Sequence, residues 1–272
     1  MDRPVPARGP ARARQEAVRG MAKRFAALAG SAPDPGREVK ATPGWSINDV
    51  LGHVAMEPSR YNELARGGGT WPARATDMAA FNAERIRALP TRDPPALAAK
   101  LVADTEGLLS TIDGFGNRQP MMNFDGNQQV RADRALGTLL SEFVIHGHDI
   151  ARTVGSKWPI DRTLVPLILD GLNDMMPGWT NPERAANHTA TYELRLRGLG
   201  NKYVYSFDNG CLTIDPADAV GPDVCISAEP VTWLLLSYGR INKWGAALTG
   251  RVLVWGRKPW LATAFAQRFH SP

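Results

Sequence analysis

The spacing of apolar residues changes once along this chain, near Gly155, and no other feature constrains the fold as much. Before that point, apolar side chains recur at helical spacing. Val18, Met21, Phe25 and Leu28 form one stripe over residues 12–29, the mark of an amphipathic helix. Ser46-Ile47-Asn48-Asp49 reads as a capping box opening a second helix that runs to about Arg66. Pro58 inside it is expected to kink that helix or end it early. Residues 76–89 read as a third helix. Asp93-Pro94-Pro95 caps a fourth, with Leu97, Leu101, Leu108 and Ile112 on its apolar side. Residues 114–131 read as a long polar loop in which Met121, Met122 and Phe124 can form a substrate lid or simply anchor the loop. Residues 133–154 form a fifth helix, strongly apolar at Leu136, Leu139, Leu140, Phe143, Val144 and Ile150.

After one more helix over 164–176, alternation takes over. Ala190, Tyr192, Leu194 and Leu196 alternate with Thr191, Glu193, Arg195 and Arg197, which predicts a half-buried strand. Tyr203, Tyr205 and Phe207 mark the next strand, and Asp208-Asn209-Gly210 is a hairpin turn. The expected fold is therefore α followed by α+β. A disordered basic tail occupies 1–14, a helical bundle 15–156 and an α+β domain 157–272. A chain of 272 residues has room for two such cores.

Charge and cysteine usage exclude several functions. The net charge is +5, and the first 24 residues alone hold seven basic and two acidic side chains. The excess therefore sits at one end and not along a groove, so no nucleic-acid partner is expected. No apolar run approaches the roughly 20 residues that span a bilayer, and the basic N-terminus has no apolar core of a secretory signal. No membrane partner is expected. Two cysteines, Cys211 and Cys225, are too few for a disulfide framework and fit reduced thiols in the cytoplasm.

The chemistry-bearing residues are histidines near an acid. Glu142 and His146 are four apart on the fifth helix and share a face, about 6 Å apart along the axis. His148 lies about 200° round from His146 and points elsewhere. His53 falls near the stripe of Val50, Val54 and Tyr61 on the second helix. If these two helices pack side by side, His53, Glu142 and His146 converge, and two imidazoles with a carboxylate suit a catalytic divalent metal. Spacing alone leaves two plainer readings open, a surface pair at i, i+4 and a hydrogen-bonded core histidine. Leu139, Phe143 and Ile150 flank Glu142, and a buried carboxylate needs a partner or a metal. Asp149, one turn on, reads either as orienting a ligand imidazole or as an exposed helix acid.

Two segments carry a family resemblance. Trp45-Ser46-Ile47-Asn48-Asp49-Val50-Leu51-Gly52-His53 and Glu142-Phe143-Val144-Ile145-His146-Gly147-His148-Asp149 resemble the two motifs of the DinB-like, mycothiol-dependent maleylpyruvate isomerase family, in the same order and separation. Asp223-Val224-Cys225-Ile226-Ser227, Gly239-Arg240, Leu248-Thr249-Gly250 and Trp255-Gly256-Arg257-Lys258-Pro259-Trp260-Leu261 resemble the sterol-carrier-protein-like domain often fused to it. The resemblance covers roughly residues 15–270. It implies a DinB-like bundle holding a divalent metal, usually zinc, on His53, Glu142 and His146. It also implies a low-molecular-weight thiol, mycothiol, as co-substrate of a transferase or isomerase.

Asn82 and Arg85 on the third helix are candidates to meet an anionic substrate or thiol, with a solvated helix face the plainer reading. Arg240, Asn242 and Trp244 are candidates to line an interdomain cleft, with core packing the plainer reading of Trp244. Two rival functions stand beside the enzyme. One is a non-catalytic carrier of an apolar small molecule, which would not need three metal ligands. The other is a non-haem iron oxygenase, since two histidines and a carboxylate also suit Fe(II).

Overall fold

The computed structural model describes residues 9–218 and 221–270. The first helix, α1, spans Pro10–Gly30. Of the expected tail, residues 1–8 lie outside the described residues, and residues 10–14 belong to α1. The reason is Arg14, whose side chain is only 3% exposed. It donates to the Asp133 carbonyl (2.9 Å) and to Asp170 (3.1 Å), which anchors the start of the helix.

Helix α2 spans Ile47–Ala65. Its capping box forms as expected: the Asp49 N–H donates to Ser46 Oγ and the Ser46 N–H to the Asp49 carboxylate, at 3.1 and 3.0 Å. Pro58 does not end the helix. It is buried, and Tyr61, Leu64 and Ala65 beyond it are buried too, so core packing outweighs the one lost backbone hydrogen bond. Helices α3 (Met78–Arg87) and α4 (Pro94–Gly114) follow, the latter capped by Asp93. Residues 114–131 are more ordered than a polar loop. Strands β1 (Met121–Asn123) and β2 (Gln129–Arg131) form a small hairpin with Met122 opposite Val130. Met122 and Phe124 are buried there.

Helix α5 spans Ala132–Val154 and ends on Gly155 in the left-handed conformation. Helix α6 (Leu164–Met175) crosses it where two glycines meet. A Cβ on Gly137 would lie 2.3 Å from the Leu167 carbonyl oxygen, and one on Gly171 would lie 2.5 Å from that of Arg134. The crossing is thus in backbone-to-backbone contact. Helix α6 also faces the second half, where Tyr205 donates to Asn173 at 3.1 Å. The two halves on either side of the exposed 156/157 segment therefore pack directly on one another.

A short helix α7 (Pro182–Ala185) leads to strands β3 (Ala190–Leu196), β4 (Lys202–Asp208), β5 (Cys211–Ile214) and β6 (Val224–Ala228). Helices α8 (Pro230–Ser237) and α9 (Lys243–Leu248) precede strand β7 (Val252–Trp255). The sheet order is β5-β4-β3-β6-β7, with β3 and β6 parallel and the other pairs antiparallel. The expectation of a half-buried β3 is corrected by its central place: Thr191 and Glu193 are buried as well. Glu193 is satisfied by ion pairs to Arg195 and Lys202. The other face of the sheet packs an aromatic core in which Tyr192 and Tyr205 lie 4.8 and 5.4 Å from the Phe265 ring. Among the described residues no helix is long and apolar enough to cross a membrane.

Candidate metal centre

Helices α2 and α5 lie side by side, and their facing stripes bring the three expected ligands together. The Nε2 atoms of His53 and His146 lie 3.3 and 3.2 Å from the same oxygen of Glu142. The candidate ligand atoms of these residues are all within 4.8 Å of one another. The imidazoles meet edge-on, with ring centroids 5.4 Å apart. Burial alone would push the Glu142 carboxyl up. Hydrogen bonds from His146 and His53, and their charges, outweigh it and hold the group well below the usual carboxylate range. Glu142 is thus an anion in a mostly buried setting. His146 Nδ1 is buried with no hydrogen-bond partner among the described residues. A pair of imidazoles and an ionised carboxylate directed at one point is a donor set that fits a divalent cation.

The surroundings differ from expectation at several residues. Asp149 makes no hydrogen bond to either imidazole. Its carboxylate, 1% exposed, pairs with Arg240 at 2.7 Å, because the C-terminal half docks on that face of α5. The acid beside a candidate ligand is instead Glu57, one turn from His53 on α2. Its Oε1 lies 3.8 Å from His53 Nδ1, and Arg60 donates to its Oε2 at 2.8 Å. Arg60 in turn stacks 3.7 Å over the Trp71 ring. Sequence reasoning passed over Glu57, although the i, i+4 spacing to His53 was a usable signal.

The three candidate ligands open onto a cavity of about 660 Å³ shared by both halves. From the helical half, Trp45, Tyr61 and Asn82 line it; from the other half, Trp179, Tyr238 and Arg240 do. Tyr238 donates to Ser141, next to Glu142, at 2.9 Å. Asn82 and Arg240 thus reach the site, and Asn82 Oδ1 is buried without a partner. Arg85 does not line the cavity; its guanidinium lies 5.4 Å from the Phe81 ring of its own helix. Asn242 does not either, since its side chain caps α9 by accepting from the Trp244 and Gly245 N–H groups. Trp244 is 58% exposed, in neither core nor cavity. Met121, Met122 and Phe124 form no lid over the centre: none of them lines it.

Fold and site together define a class of two-part proteins in which a helical bundle carries a His–Glu–His centre and an α+β half closes the cavity over it. Residues 14–151 match the mycothiol maleylpyruvate isomerase N-terminal domain, and residues 172–268 match the SCP-2 sterol transfer family. The chain belongs to the mycothiol maleylpyruvate isomerase N-terminal domain family. A solved mycothiol-dependent maleylpyruvate isomerase has a TM-score of 0.54 at 17% identity, covering 86% of this chain and 90% of that one. A histidine-to-alanine mutant of a mycothiol-dependent maleylpyruvate isomerase gives 0.55 at 17% identity, covering 90% and 92%. At that identity the likeness is one of fold. No protein of curated function matches the chain.

Proposed function

We propose that this chain is a metal- and thiol-dependent enzyme that uses mycothiol to isomerise, or to transfer sulfur to, a small electrophile. One observation carries the reading: two imidazoles from different helices converge on a single ionised carboxylate at the floor of a cavity. Family membership and the names of the similar structures support the thiol. A bound divalent metal, zinc in this reading, would lower the pKa of a coordinated thiol, which is otherwise only about 3% thiolate at neutral pH. His53, Glu142 and His146 hold the metal. Glu57 steadies His53 from behind, while Trp45, 5.2 Å from His53, and Tyr61 exclude water from one wall. Asn82 offers a buried polar contact to thiol or substrate. The partners are small molecules, and the two free cysteines fit a reducing, cytoplasmic setting.

The carrier reading is weakened by the packed aromatic core of the sterol-carrier-like half. Metal analysis of protein purified without added metal tests the proposal. About one zinc per chain is expected. Iron in its place would overturn it in favour of an oxygenase, and an absence of metal would favour the carrier.

A further inference from the structure

The C-terminal end of the molecule concentrates features that the candidate site does not use. From Pro230 to the end of the chain there is no acidic residue, against six lysines and arginines. The balanced charge of the folded body thus conceals a one-signed stretch of sequence. Within it, large apolar side chains stand in solvent: Leu248 is 88% exposed, Trp260 64% and Trp244 58%. Trp244 and Leu248 are four apart on α9, so they share one face. Edge strand β7 adds Leu253, Val254 and Trp255, all exposed. These elements adjoin. The Arg251 N–H donates to the Ala246 carbonyl at 2.9 Å, and Lys243 donates to the Thr263 carbonyl at 3.0 Å, beside the turn that carries Trp260. The cations around them are Lys243, Arg251, Arg257 and Lys258. The last two share Asp223, at 2.9 and 3.4 Å, yet their side chains remain 71% and 45% exposed.

We propose that this face docks the protein on an anionic phospholipid surface, with Trp244, Leu248 and Trp260 entering the headgroup layer and the cations meeting lipid phosphates. Charge decides the occupant. A second copy would press the same cations against themselves, and the two adjoining acids are already engaged, Asp223 by Arg257 and Lys258 and Glu229 by the α8 N-terminus. An anionic bilayer meets both needs at once, since tryptophan favours its interface and basic residues favour its surface. Docking here is peripheral and adds no membrane span.

The test is co-sedimentation of the full chain with vesicles of phosphatidylcholine alone and of phosphatidylcholine mixed with phosphatidylglycerol. The expected result is binding to the mixed vesicles only, lost at high salt, with a blue shift of tryptophan emission. Lys243→Gln with Arg251→Gln should weaken partition about fivefold per cation removed. Trp244→Ser with Leu248→Ser should weaken it at least about tenfold. All four positions are exposed, so unchanged thermal melting is expected to show that the variants fold. The proposal fails if mixed vesicles do not bind the protein, if phosphatidylcholine alone binds it equally well, or if neither pair of substitutions changes binding. A concentration-dependent dimer that the apolar pair abolishes, without vesicle binding, would instead assign the face to a second copy.

Discussion

At the residue scale, what matters is which groups face the centre and which only stand near it. His146 and His148 are two apart on α5, but His146 alone joins the cluster. His146→Ala should release metal while the fold survives, and His148→Ala should keep it; metal content per chain checks this, and equal loss in both would contradict the geometry. Glu57→Gln should lower metal affinity about 10–100-fold, read by competition with a chelating dye. The Asp149–Arg240 pair should behave asymmetrically. Arg240→Ala strands a fully buried carboxylate and should cost about 3–5 kcal/mol. Asp149→Asn leaves a guanidinium that is 18% exposed and can turn to solvent, so its cost should be smaller. Denaturant titration of both variants measures the difference. The pairing of Glu142 with His146 was legible in the sequence because helical phase fixes which side chains share a face, and His53 joins them where α2 packs on α5. Asp149 was misread because its partner arrives from a segment 91 residues away, which no local pattern encodes.

At the element scale, the α5–α6 crossing sets how closely the two halves approach. Gly137→Ala or Gly171→Ala drives a methyl into backbone, which cannot turn aside as a side chain can. Each should cost about 1–3 kcal/mol. Gly107→Ala on α4 is the control: nothing lies within 4 Å of its added Cβ, so helix propensity alone should stabilise by up to about 1 kcal/mol. Similar losses at all three positions, in chemical denaturation, would remove the special role of the crossing. Caps and amphipathic stripes were legible here because both are short-range. The β1–β2 hairpin was not. Met121-Met122-Asn123 and Gln129-Val130-Arg131 are too short for alternation to stand out, and they pair only because Met122 and Val130 bury themselves in the bundle core.

At the scale of the whole molecule, the site belongs to both halves. The change of period near Gly155 predicts that residues 1–156 alone can still bind metal. Contacts across that boundary favour the opposite outcome: α6 packs on α5, Tyr238 reaches Ser141 and Arg240 neutralises Asp149. A fragment ending at residue 156 should therefore be poorly soluble or bind metal much more weakly than the full chain; a stable, metal-loaded fragment would contradict this. Two domains were readable from the change of period, but their shared core was not, because docking surfaces leave no periodic trace. If the His53–Glu142–His146 centre holds a metal that binds and activates a thiol, thiol binding must depend on that metal. Calorimetric titration of mycothiol into metal-loaded protein, and into the same protein stripped by chelator, tests it most directly. Binding with proton release in the loaded protein, absent after stripping and restored by zinc, is the predicted result. Equal binding by loaded and stripped protein would contradict it.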